Sequence, residues 1–287
     1  MTSKCKVNFN LREYNSYRVK AFCAKAWFPE SETDFLELLS KIENKKLKIL
    51  GNGNNIILRK DYYDEEFIIL NGCFDKIKIN NNQIEAEAGA TLLKLSETAL
   101  NYNLTGLEIF FDIPSSVGGA VVMNAGTNEG EIKDILVKVR YLDLIDMNIK
   151  EISKEEIGFE YRNSLFQKNP EKIVLKAWFE LSEGKYEIIK EKMEETKRIR
   201  WTKQPRDFPN CGSVFKRPPG RYVGPIIDEL GLKGFSIGGA KISEKHSGFI
   251  INTGDAKGSD ILNLISEVQR RVKERYNIIL EVEQKTI

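Results

Sequence analysis

The sequence predicts an α+β fold, and three observations carry that prediction. Some segments place apolar residues at helical spacing, others alternate apolar with polar residues as half-buried strands do, and no internal repeat or low-complexity tract interrupts them. In chain order, residues 33–44 carry Phe35, Leu38, Leu39 and Ile42 on one helical face, with Thr33 as the expected N-cap. Lys48-Ile49-Leu50 reads as a strand, and Ile56-Ile57-Leu58 reads as another after a Gly/Asn turn. Ile77, Ile79, Asn80-Asn81-Asn82, Ile84, Ala86 and Ala88 predict a hairpin, followed by a helix with Leu92, Leu95 and Ala99 inward. Val137, Val139 and Tyr141 alternate with Lys138 and Arg140, and residues 173–181 also read as extended. A polar helix over residues 185–200 marks a boundary. Beyond it a helix spans residues 222–230, with Gly231 at the C′ position, where a left-handed conformation is cheapest for glycine. Ile261, Ile265, Val268 and Val272 form the stripe of a helix leading into a last strand, residues 278–283.

Composition narrows the function. A chain of 287 residues is long enough for two or three packed units, and 41% hydrophobic with 30% charged residues is ordinary for a soluble globular protein. The 44 basic and 42 acidic residues are interspersed, so no stripe marks a nucleic-acid partner, although a local Arg/Lys pocket for a phosphate-bearing small molecule needs no global excess. No apolar run approaches membrane-spanning length, and residues 1–12 lack the apolar core of a signal peptide. Cys5, Cys23, Cys73 and Cys211 lie far apart with no C-x-x-C pair, which fits a reducing cytoplasm and disfavours a zinc site or disulfide framework. His246 is the one histidine, so His-rich metal sites are excluded and no metal is expected. Difficult chemistry here would call for a bound cofactor. Nothing in the sequence specifies an oligomeric state.

Three segments break the core pattern. Gly51-Asn52-Gly53-Asn54-Asn55 can reach positive φ and turn its backbone N–H groups toward one point, which suits a pyrophosphate, or it is simply a turn. Ile113-Pro114-Ser115-Ser116-Val117-Gly118-Gly119-Ala120-Val121-Val122-Met123-Asn124-Ala125-Gly126 approaches a helix start with small residues, so either a flat ligand lies on main chain or a turn and helix pack tightly. In Asn210-Cys211-Gly212-Ser213-Val214-Phe215-Lys216 the serine is a poor nucleophile without a histidine base. Its hydroxyl can still donate a proton to a carbanion-like species that something else stabilises.

Taken together, these segments resemble the UDP-N-acetylenolpyruvoylglucosamine reductases (the MurB family, UDP-N-acetylmuramate dehydrogenases). The similar blocks are Tyr14-Asn15-Ser16-Tyr17, residues 51–55, Glu87-Ala88-Gly89-Ala90, residues 113–126, Tyr161-Arg162-Asn163-Ser164, residues 212–216, Gly231-Leu232-Lys233-Gly234, and residues 238–252. They follow family order over nearly the whole chain, and the chain resembles the shorter type that lacks an extra loop. The departures are Asp112, Ser115-Ser116, Arg217 and Gln284-Lys285, where the family commonly shows other residues.

The resemblance implies a two-subdomain FAD-binding fold of the vanillyl-alcohol-oxidase/PCMH type, residues 1–71 and 72–184. It adds a C-terminal α+β substrate-binding domain, residues 185–287, whose last strand returns to the active site. It implies non-covalent FAD, with residues 51–55 at the pyrophosphate and residues 113–126 along the ribityl chain and ring, and NADPH as reductant. The implied substrate is the enolpyruvyl ether of a UDP-amino-sugar, reduced to UDP-N-acetylmuramate for peptidoglycan. Arg162, Ser213 and Glu283 match the family's catalytic arginine, serine and glutamate. Tyr161, Lys216, Lys233 and His246 fall where substrate or nucleotide phosphates would be met. Two other readings stay open on the sequence: a flavoenzyme of this fold acting on another nucleotide-sugar or a hydroxy acid, and a non-catalytic flavin-binding module.

Overall fold

The computed structural model describes residues 4–42 and 47–287. The strands in chain order are β1 (Lys4–Asn10), β2 (Phe22–Phe28), β3 (Leu47–Leu50), β4 (Ile56–Ile57), β5 (Tyr62–Ile69), β6 (Ile77–Asn80), β7 (Gln83–Glu87), β8 (Leu104–Thr105), β9 (Leu136–Asp143), β10 (Asn148–Ser153), β11 (Lys172–Glu180), β12 (Ser182–Glu183), β13 (Ser236–Ile237), β14 (Ala240–Ile242), β15 (Ile250–Asn252) and β16 (Lys285–Thr286). The helices are α1 (Glu32–Leu39), α2 (Leu92–Asn101), α3 (Val117–Met123), α4 (Ile132–Ile135), α5 (Leu165–Lys168), α6 (Tyr186–Lys203), α7 (Val223–Glu229) and α8 (Gly258–Tyr276). The α+β reading holds.

The chain divides into two units. The first comprises Met1–Lys6, Lys25–Asn52 and Glu65–Arg200, the second Val7–Ala24, Gly53–Asp64 and Trp201–Ile287. The expected limits at 71/72 and 184/185 both fall inside the first unit. A sheet of order β1-β2-β5-β3 has three strands, β1, β2 and β5, that pass through unit boundaries.

The first unit is built on a five-stranded sheet of order β10-β9-β11-β7-β6. Alternation sets its register: Ile84 and Ala86 of β7 and Ala177 and Phe179 of β11 point into one core with α2 and α3 residues such as Leu92, Leu95, Val117 and Val121. The hairpin β6–β7 turns on Asn81, at φ 54°, as its Asn-rich loop suggests. The first helix is shorter than expected, and Ser31 caps it instead of Thr33. Ser31 Oγ accepts from Asp34 N–H at 3.1 Å while Asp34 Oδ2 accepts from Glu30 N–H, which leaves Thr33 within the first turn. Residues 43–44 of that expected helix lie outside the described residues.

The second unit packs one face of α8, through Ile261, Leu264, Ile265, Val268 and Val272, with Ile226 and Ile227 of α7 and with the sheet β13-β14-β15. Helix α7 ends as the sequence predicts. Gly231 stands at φ 65° and donates to Asp228 O, and Leu232 N–H donates to Ile227 O. The expected last strand, residues 278–283, is not regular. Only Val282 bridges, to Phe215, and ladder pairing resumes at β16, parallel to β4. The partner segment, residues 213–216, is short, and Pro218-Pro219 beyond it have no N–H to extend a ladder.

Candidate active site

In the first unit β3 delivers the chain to Gly51 and Asn52. A Cβ on Gly51 would lie 2.4 Å from Ser116 Oγ, so the strand end and the start of α3 approach to a distance only glycine permits. Ser116, 2% exposed, caps α3 by accepting from Gly119 N–H at 3.2 Å. Val117 N–H donates to Ala90 O and Gly118 N–H to Ala88 O, so the first N–H groups of this short helix are committed inside the protein. The 113–126 segment is therefore tightly packed main chain, with Ile113, Ser115, Gly119 and Gly126 partly accessible and Pro114 exposed. Asn52 Oδ1 is buried with no hydrogen-bond partner. A ligand O–H or N–H would satisfy it, so the residues present fit a polyhydroxylated or ring-NH group such as FAD.

The same helix ends on Asn124, wholly buried and left-handed at φ 44°. Its Nδ2 donates to Glu131 Oε2 at 2.9 Å and to Glu160 O at 3.1 Å. Arg162, also left-handed at φ 54°, donates through Nη2 to Gly126 O at 2.8 Å and through Nη1 to Asn124 O at 3.3 Å. Glu131 Oε1 stands 3.5 Å from Nη1, and the Tyr161 ring lies 4.9 Å from the guanidinium carbon. Arg162 is thus a half-buried cation gripped by two backbone carbonyls of the small-residue segment. Tyr161 is 48% exposed.

In the second unit Gly53 stands at φ 66°, and Ser16 N–H donates to its carbonyl at 3.0 Å. Asn54 Nδ2 donates to Ser16 Oγ at 2.6 Å, and Asn55 Nδ2 to Glu283 O at 3.3 Å. Ser213 follows Gly212, at φ 76°, and is exposed. Its neighbour Val214 donates to Gly248 O at 3.0 Å and accepts from Glu283 N–H at 2.9 Å. That pairing lays Ser213 and Glu283 on neighbouring stretches of chain. Lys216 is nearby in the same stretch, its Nζ 2.6 Å from Glu281 Oε1. Burial, and then the Lys216 charge, holds the Lys285 amine below its ordinary value. Lys233, exposed, lies 3.9 Å from Asp228, which also accepts from Ser247 Oγ. His246 is half-buried, its Nδ1 accepting from Gly248 N–H at 3.1 Å and its ring edge on Phe249. Burial lowers its pKa, so the imidazole is neutral near pH 7 and offers a hydrogen bond rather than a charge.

Sequence reasoning missed Glu131, the acid on which Asn124, Arg162 and Lys133 converge. Tyr17 and Asn252, which stand in two of the blocks quoted above, carry no role in that reading although both are buried. Cysteine chemistry is absent from the pattern: burial pushes the Cys73 and Cys211 thiols up to about 12. Among the described residues no group of His, Cys, Asp and Glu could hold a metal ion.

A profile of the FAD binding domain matches residues 24–148, and one of the UDP-N-acetylenolpyruvoylglucosamine reductase C-terminal domain matches residues 204–287. The fold and these matches define a flavin-dependent oxidoreductase. The chain belongs to the UDP-N-acetylenolpyruvoylglucosamine reductase family. It is 43% identical to that reductase from Caldanaerobacter subterraneus over 99% of this chain and 94% of the relative, and 41% identical to the one from Latilactobacillus sakei over 100% and 94%. Among solved structures it is similar to UDP-N-acetylenolpyruvylglucosamine reductase from Thermus caldophilus, with a TM-score of 0.83 and 33% identity over 100% of this chain and 99% of that one.

Proposed function

We propose that this chain reduces the enolpyruvyl ether of UDP-N-acetylglucosamine to UDP-N-acetylmuramate, with FAD as cofactor and NADPH as reductant. The observation that carries the chemistry is the pairing of Val214 with Glu283, which lays an exposed hydroxyl and a carboxylate on neighbouring stretches of one unit. Bound FAD supplies a two-electron relay from NADPH to the enolpyruvyl double bond. What the chain must then provide is charge stabilisation at the substrate carboxylate and a proton at the carbon beside it. Arg162 supplies the positive charge, its guanidinium oriented by two backbone carbonyls and by Glu131 at 3.5 Å. Glu283 helps polarise or protonate the carboxylate, and Ser213 O–H gives the proton to the adjacent carbon.

Tyr161, Lys216, Lys233 and His246 bind the sugar nucleotide, with Lys233 and His246 gathered about Asp228. Residues 51–55 hold the pyrophosphate of FAD, and Ile113, Pro114, Ser115, Ser116, Gly118, Gly119, Asn124 and Gly126 line its path, with Asn52 Oδ1 as an acceptor awaiting a donor. Residues 1–71 and 72–184 serve the cofactor, with Tyr161 and Arg162 of the latter also serving the substrate, and residues 185–287 serve the substrate. No helix among the described residues is long and apolar enough to cross a membrane, which is in keeping with work in the cytoplasm. The test is NADPH oxidation by the FAD-loaded protein with the enolpyruvyl sugar nucleotide. The expected product is heavier by two hydrogens. NADPH oxidation that leaves the substrate unchanged would overturn the reading.

A further inference from the structure

Gln284 has no role in the reaction above, yet it is 4% exposed and its amide is fully engaged. Nε2 donates to three carbonyl oxygens of the serine turn: Cys211 at 3.1 Å, Gly212 at 3.4 Å and Ser213 at 3.4 Å. Oε1 accepts from the Tyr17 hydroxyl at 2.9 Å. Tyr17 is wholly buried, and Asn252 Nδ2 donates to its backbone oxygen at 2.7 Å. Asn252 Oδ1 in turn accepts from the N–H groups of Gly254 and Ala256. A Cβ on Gly212 would meet nothing within 4 Å, while Cys211 and Val214 on either side are buried and Gly212 N–H donates to Asn210 Oδ1 at 3.1 Å. The group on which its three carbonyls converge is one that only donates there, fixed the right way round by a buried hydroxyl.

We infer that Gln284 is the positioning residue of Ser213: its amide sets the backbone of the serine turn, and so the place from which the Ser213 hydroxyl gives its proton. The inference rests on the proton-donor reading of Ser213. Gln284 itself touches no reacting atom. Its loss therefore slows the proton-dependent half of the cycle and leaves the NADPH-dependent half alone.

The substitution that reads this is Gln284→Glu. A protonated carboxyl can still donate to a carbonyl and accept from Tyr17, whereas an ionised one faces three carbonyl oxygens. Burial and those carbonyls raise its pKa above the unfolded value of about 4.3. The variant's stability relative to the parent is therefore retained below that value and lost as pH rises through the folded one. The experiment is stopped-flow at saturating substrate on the FAD-loaded protein, following bleaching by NADPH and recolouring by the enolpyruvyl sugar, with melting curves over the same pH range.

In Gln284→Glu, recolouring should fall about tenfold or more, relative to parent, from the acid to the alkaline end, while bleaching follows the parent. The melting deficit should grow with pH. Ser213→Ala alone should slow recolouring on the order of 10²–10⁴, and in that background Gln284→Glu should add no further pH dependence to it. Tyr17→Phe, a smaller change, should slow recolouring several-fold and spare bleaching. Parental recolouring in Gln284→Glu or in Tyr17→Phe overturns the positioning role, as does an equal fall in both half-reactions. Parental recolouring in Ser213→Ala instead overturns the proton-donor reading, and the inference falls with it.

Discussion

Arg162 and the glycines beside the serine turn show how much of this molecule depends on single backbone conformations. A left-handed arginine is uncommon, and here that conformation turns the side chain back onto Asn124 and Gly126. Lysine at 162 would keep the charge and lose the planar fork. In Arg162→Lys, flavin bleaching by NADPH should persist while recolouring by substrate slows on the order of 10²–10³; equal damage to both would mark Arg162 as structural. Gly53 and Gly212 separate two costs. Both have positive φ, but a Cβ on Gly53 would lie 2.1 Å from Tyr14 O, whereas one on Gly212 meets nothing. Gly212→Ala should cost roughly 1–2 kcal/mol for the left-handed backbone alone. Gly53→Ala should cost about 1–3 kcal/mol more, for overpacking. Denaturant titration of the two variants checks the order, and equal losses would contradict it. The sequence made Arg162, Ser213 and the glycine turns visible because their neighbours form recognisable blocks. It could not show that Gln284 is buried on Ser213, since the two meet only through the folded second unit.

At the scale of elements, periodicity located what packing enforces and missed what isolated hydrogen bonds decide. The stripes of α2 and α8 are legible because each buries one face, whereas β11, read only as extended, buries consecutive residues Ile173, Val174 and Leu175 and so carries no alternation to read. The cap of α1 is Ser31, two residues before the expected Thr33: both are capping types, serine the better, and the Asp34 contact selects it. The last strand is expected because Ile278, Ile279, Leu280 and Val282 are apolar, but residues 213–216 are too short a partner to pair with more than Val282. One ionic element ties the large sheet together. Asp143, at the end of β9, meets Lys172 of β11 at 2.6 Å and Lys150 of β10 at 3.2 Å. Its bond to Lys172 is the main cause that lowers its pKa to about 2, with Ile145 N–H and Lys150 adding to it. A depressed folded pKa means the contribution is complete above the ordinary carboxylate value and is lost as pH falls through about 2. Melting curves between about pH 5 and about pH 2 should therefore fall less steeply in Asp143→Asn than in the parent. Parallel curves would show that this carboxylate contributes nothing.

Across the whole molecule, sequence order and spatial grouping part company. Residues 7–24 and 53–64 join Trp201–Ile287 in one unit, a division no linear reading finds because it is made by pairings such as β16 with β4 and Asn252 with Tyr17. Function was more legible than that division, because the family's blocks are spread along the chain and survive any regrouping of it. Turnover by this chain requires a flavin that one partner reduces and another reoxidises. The direct measurement is an anaerobic visible-absorption titration of the purified, FAD-loaded protein. It should be yellow, bleach with one equivalent of NADPH, recolour with one equivalent of the enolpyruvyl sugar nucleotide, and release free FAD on denaturation. A protein that takes up no FAD, or whose bleached flavin is left colourless by that substrate, would contradict the account.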